Sequence, residues 1–163
     1  MISLPPSTPI DGDELAPLLP ALVDLASSIG YTFDIRAVSG GARGYCDRRD
    51  KSIVVDVLSD TFSPNAQVSV GVHENAHALV EVERQDDDPT LSRGEEEVVV
   101  ECVAFTVCGA LGLDTSGAAV PYITSWGQSE DIERYAALID RLARRVEDAV
   151  LAETTESSDR PPA

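Results

Sequence analysis

The chain contains two histidines, and both belong to one short string, His73-Glu74-Asn75-Ala76-His77. That string restricts the fold more than any other feature of the sequence. Two side chains at positions i and i+4 share a face on an α-helix, so the segment is predicted helical, with both imidazoles able to reach one metal ion. Glu74 lies about 100° round the same helix, where it can act on a water molecule rather than bind the metal. One helix cannot complete such a centre, because a catalytic zinc takes about three protein ligands and keeps a position open for water. A second element must therefore bring an acid or a thiol to the first.

With no third histidine, the remaining ligand has to be Asp, Glu or Cys. The string Glu97-Val98-Val99-Val100-Glu101 offers two carboxylates one helical turn apart on one face, with valines between them to bury the other side. Glu95, Glu96 and Glu97 form a charge run at a helix start, where acids favour the macrodipole and read as a solvated first turn. Glu101 sits inside an apolar run, and a carboxylate there needs a partner. Spacing alone leaves either Glu97 or Glu101 as the ligand. The partner of the other ring nitrogen of a ligating histidine is expected to be a carboxylate, which fixes tautomer and orientation. Cys102 and Cys108 read as small core residues, and Cys46 falls near a hairpin.

The rest of the chain supplies the elements around this centre. Residues 1–12 are rich in Pro, Ser and Asp and are expected to be loose. Leu15, Leu18, Leu19, Leu22, Leu25, Ala26 and Ile29 have helical spacing, with Pro17 near the first turn and Gly30 as the stop. The period then shortens to two. Strands are expected around Tyr31–Ile35, Arg43–Cys46 and Ser52–Val57, separated by turn residues and joined as a small antiparallel meander. Ser63-Pro64 marks the start of the histidine helix. An acidic loop is expected over 83–96, a further helix over about Glu95–Leu111 and a short helix or turn at Pro121–Trp126. The last helix spans roughly Glu130–Leu151, and the acidic tail 153–163 is expected to be disordered. Residues 13–152 thus form one α+β domain, with a small antiparallel sheet packed on a helical bundle.

Charge sets the classes of partner. With 29 acidic against 12 basic residues, the formal net charge is −17. Such a surface repels a phosphate backbone, so direct nucleic-acid binding is not expected. It keeps a protein soluble, and it can also attract a basic partner or imitate DNA. The opening Met1–Pro6 has neither the basic region nor the apolar run of a secretion signal, and no stretch is long and apolar enough to span a bilayer. Three cysteines without framework spacing fit a reduced, cytoplasmic setting and no membrane partner.

With both motifs in view, the chain resembles the ImmA/IrrE-type zincin-like metallopeptidases, and is similar to the metallopeptidase domain of ArdC-type antirestriction proteins. The resemblance rests on Arg43-Gly44-Tyr45 leading into Ser52–Val55, on His73–Leu79, and on Glu97–Cys108 running on to Ser116 and Pro121–Ile123, over about residues 40–127. Two positions depart from the pattern: Asn75 stands where an apolar residue is usual, and Val100 where a small alanine is usual. As in the thermolysin-type pattern, the resemblance implies His73, His77 and Glu97 as zinc ligands, with Glu101 supporting a histidine. It also implies an intracellular metallopeptidase that cuts a specific protein such as a repressor or regulator.

The chemistry of such a centre is peptide hydrolysis, with zinc making its water acidic and Glu74 as general base. Tyr45, Tyr122 and Arg43 are candidates to stabilise the oxyanion, and the strand over Ser52–Val57 is a candidate to pair with an extended substrate. The alternative is a non-enzymatic acidic antirestriction protein that mimics DNA and keeps a structural zinc.

Overall fold

A computed structural model describes residues 10–113 and 129–158. The Pro121–Trp126 segment, residues 1–9 and the tail 159–163 lie outside the described residues. Among the described residues the architecture is α+β, with four α-helices and a three-stranded mixed sheet: α1 (Leu19–Ser28), β1 (Thr32–Ile35), β2 (Gly44–Asp47), β3 (Ser52–Val55), α2 (Pro64–Val82), α3 (Arg93–Ala110) and α4 (Ser129–Ser158).

Each helix boundary has a local cause. A short 3-10 turn, Ala16–Leu18, leads into α1, so the two prolines fall at helix starts where their missing N–H costs nothing. Gly30, at φ 84°, ends the segment in the left-handed region. Ser63 caps α2 by accepting from the Ala66 N–H at 3.1 Å, with Pro64 in the first turn. Ser92 caps α3 in the same way, so that helix opens at Arg93, two residues earlier than the charge run suggested. Helix α4 runs on to Ser158, well past Leu151, where the apolar periodicity ends. Glu and Thr continue a helix without an apolar face, so the periodicity marks only the packed part.

The sheet is mixed rather than an antiparallel meander. Its order is β1-β3-β2, with β1 parallel to β3 and β2 antiparallel to it. Strand β3 carries Ile53, Val54 and Val55, all fully buried, whereas β1 is largely exposed. The most apolar strand takes the central position, paired on both edges, and its more polar neighbours take the edges. The connection from β1 to β2 crosses the end of β3, held there by Asp56, which accepts from Val38 N–H at 3.1 Å and from Arg43 at 2.9 Å.

The main core joins all four helices through Leu22, Leu25, Val68, Val72, Leu79, Val99, Val103, Leu142 and Val146. A second cluster, with Ala26, Tyr31, Ile53, Val55, Phe62 and Ala78, seats the sheet on α1 and α2. Two features differ from the expected loose segments. Ile10, Asp11 and Gly12 are docked, their carbonyls bonded by Ser63 and Asn65. The acidic loop after α2 is pinned to α4 by Asp88–Arg141 at 2.6 Å and Glu83–Arg145 at 2.9 Å. Asn75 is fully buried, and its amide donates to the carbonyls of Leu22 and Gly71, so a polar residue at this position ties α1 to α2.

Candidate metal centre

Helix α2 presents His73 and His77 on one face, with their rings 4.9 Å apart edge to face. Helix α3 packs beside it because Val98, Val99, Val100 and Val103 are buried, which leaves Glu96, Glu97 and Glu101 towards the histidines. One ligand atom from each of His73, His77 and Glu97 lies within 4.8 Å of the others, making a candidate site for a metal ion. The Glu97 carboxylate lies between the two Nε2 atoms, 3.1 Å from His77 and 3.7 Å from His73. The opposite ring nitrogens face other acids: Glu101 is 3.0 Å from His73 Nδ1, and Glu96 is 2.8 Å from His77 Nδ1.

The spacing could not choose between Glu97 and Glu101, but their distances to the two ring nitrogens do separate them. Glu97 shares the convergent point with both Nε2 atoms, and Glu101 braces the far side of one ring. Glu96 braces the other ring, although in the sequence it reads as part of a solvated first turn. Two imidazole nitrogens and one carboxylate oxygen suit a divalent transition metal such as zinc, and both rings already have the outer carboxylates that such ligands need. The donor set therefore fits the metal that the motif implies.

The charges agree with this geometry. Burial works against a proton on His77, but bonds to Glu96 and Glu97 outweigh it and push its pKa up to about 9. The bond from His77 holds the Glu97 carboxyl below its ordinary value. Burial opposes ionisation of Glu96, yet His77 and Arg48 hold its pKa down. Glu74 is 8% exposed, and burial pushes its carboxyl up while His73 and His77 pull it back. His77 Nε2 and the Glu97 carboxylate are thus paired across the place that a cation would take.

A cleft of about 540 Å³ opens over these groups, lined by His73, Glu74, His77, Glu96 and Glu97 on one side and by β2 with Arg48 on the other, and Arg93 also borders it. The strand at the cleft is β2, not β3; β3 is central and has no free edge to offer a peptide. The Asp56 N–H to Arg43 carbonyl bond sets the alternation of the ladder, so Gly44 and Cys46 turn their backbone groups outward. Gly44 is required by close approach: a Cβ there would lie 2.6 Å from Val70 Cγ1, 2.9 Å from the Val54 carbonyl oxygen and 3.5 Å from Glu74 Cγ.

Of the residues considered for the oxyanion, Tyr45 lines the cleft, and its hydroxyl accepts from Arg36 at 2.7 Å. Arg43 is committed to the scaffold, paired with Asp56 and stacked 4.8 Å from the Phe62 ring centre. Tyr122 lies outside the described residues. Cys46 borders the cleft, but burial and the Glu74 charge push its thiol up to about 12, which keeps it protonated. Cys102 is half-buried and Cys108 fully buried. Sequence reasoning missed Arg48, Arg93 and the bracing role of Glu96. Arg48 lies in a turn, and nothing local signals that it reaches a helix.

Among the described residues, no helix is long and apolar enough to cross a membrane. No protein-family model matches the chain. A stretch of 93 residues, 55% of this chain, is 34% identical to an uncharacterized protein of Bacillus anthracis, and it spans 15% of that protein's length. Among solved structures, the fold is similar to that of the antirestriction ArdC protein from the R388 plasmid in its Mn(II)-bound form. The TM-score is 0.51 and the identity 22%, over 87% of this chain and 54% of that one.

Proposed function

We propose that this chain is a zinc-dependent endopeptidase acting on a protein substrate. The observation that carries the reading is the convergence of His73, His77 and Glu97 beside a buried Glu74 in an open cleft. His73, His77 and Glu97 would hold the zinc, which when bound would supply Lewis-acid polarisation of the scissile carbonyl and a more acidic water. Glu74 would accept a proton from the attacking water on a carboxylate oxygen and pass it to the leaving amine. Its burial supports this role, because burial strengthens the carboxylate's hold on a proton. Glu96 and Glu101 hold the two imidazoles by Nδ1 and keep Nε2 towards the metal. The outward backbone groups of Gly44 and Cys46 can bind an extended peptide as an added strand across the mouth of the cleft.

The test is cleavage of a degenerate peptide library by zinc-loaded protein, with new termini read by mass spectrometry, beside the Glu74→Gln variant. The parent should generate new termini, and the variant should keep its zinc while losing about a hundredfold or more in rate. No new termini from a zinc-loaded parent would reject the reading.

A second reading is favoured by the net charge of −17 together with a fold like that of an antirestriction protein. In it, the acidic surface imitates DNA towards a DNA-binding protein, and the metal is structural. Glu74→Gln separates the two readings, because protection from restriction in cells that survives this change does not depend on hydrolysis.

A further inference from the structure

We propose that Arg48 is a positioning residue for the metal centre, tying the edge strand of the cleft to the second histidine. This rests on the reading of His73, His77 and Glu97 as a metal site. Arg48 directly follows β2 in the turn to β3. Its Nη2 donates to Glu96 Oε1 at 2.6 Å and to the His77 carbonyl oxygen at 3.0 Å. The other oxygen of Glu96 meets His77 Nδ1 at 2.8 Å. Glu96 is thus held at both oxygens and cannot turn without breaking a charge-assisted bond. The His77 ring is fixed in consequence, with Nε2 aimed at Glu97. At its other side Arg48 Nε lies 3.6 Å from Glu81, which also accepts from Tyr31 at 2.8 Å and Lys51 at 3.4 Å.

The two histidines are held unequally. Glu101 braces His73 from within α3, whereas the brace on His77 is fastened through Arg48 to the β2–β3 hairpin. Strand β2 also forms the wall of the cleft, so the two parts are linked in both directions. Drawing β2 away withdraws Arg48 from Glu96 and frees the His77 ring. Filling the metal site fixes His77 and Glu96 and, through Arg48, steadies β2. Such linkage is reciprocal in free energy.

The experiment measures zinc affinity by chelator competition for the parent, R48A, R48K and R145A, with exchange of the Gly44–Asp47 amides followed with and without zinc. Arg145 serves as control because it forms an ion pair with Glu83 at 2.9 Å, remote from the cleft. R48A should bind zinc about tenfold more weakly. R48K should recover part of that loss, since an ammonium keeps the charge without the planar fork, and R145A should match the parent. Zinc should slow exchange in β2 of the parent and leave it unchanged in R48A. R48Q, neutral and too short to place a donor where Nη2 lies, carries the same comparison if R48A does not fold. The proposal is overturned if R48A binds zinc within about twofold of the parent, if R145A loses as much, or if β2 responds to zinc equally in both proteins. A parent that takes up no zinc overturns the metal reading itself, and is told apart because failure of the Arg48 proposal alone leaves the parent binding zinc.

Discussion

At the scale of single residues, three neighbouring acids on α3 have three different tasks because of where their oxygens end. Glu97 meets both Nε2 atoms, Glu101 meets Nδ1 of His73, and Glu96 meets Nδ1 of His77. Removing a ligand should cost more than removing a brace. Glu101→Gln is expected to weaken zinc binding by about 10- to 100-fold and Glu97→Gln by more than that, both read by chelator competition. Equal losses would remove the distinction. The proton on His77 gives a second expectation. Its folded pKa of about 9 lies above the ordinary value. A group raised on folding contributes stability that is full below its unfolded pKa and lost as pH rises through the folded one. Melting of the metal-free protein should therefore fall between about pH 6.5 and pH 9. Zinc replaces the Nε2 proton, so the stabilisation added by zinc should grow over the same interval. Calorimetry at a series of pH values checks both, and His77→Gln should flatten the trend.

At the scale of elements, the cleft depends on how closely β2 lies on α2. Gly44 permits that approach, and the nearest obstacles to a Cβ are a methyl of the half-buried Val70 and the carbonyl of the paired strand. Gly44→Ala should destabilise the fold by about 1–3 kcal/mol through overpacking, measured by thermal or urea denaturation, and should move the strand away from Glu74. A variant as stable as the parent would mean that Val70 yields without cost. The Ser63 cap, the period of buried residues and the stop at Gly30 were legible in the sequence, because each depends on neighbours a few residues away, whereas the Ser92 cap of α3 read as part of the acidic loop. Strand order was not. Three short strands with similar turn signals permit several pairings, and the choice of β3 as the centre follows from which strand buries most when packed on α1 and α2.

For the whole molecule, the surplus of acids is a standing repulsion. Much of the basic complement is already used in ion pairs that pin one element to another, as in Arg141–Asp88, Arg145–Glu83 and Arg48–Glu96. The remaining negative charge is spread over the surface, where added salt screens it. Raising ionic strength from about 0.01 to 0.15 M should raise the melting temperature of the metal-free protein. A fall would show that the ion pairs between elements outweigh the general repulsion.

The sequence by itself determined the histidine pair, the helix that carries it, the acidic partners on a second helix and the large negative charge. These depend on local geometry and composition, which a period of 3.6 residues and a residue count express directly. Only the tertiary structure decided which acid meets which nitrogen, which strand borders the cleft and that Arg48 reaches from a hairpin turn to the second histidine. Those contacts join residues tens of positions apart. They are fixed by how the valine face of α3 and the sheet settle on α2, a packing that no short stretch of sequence encodes.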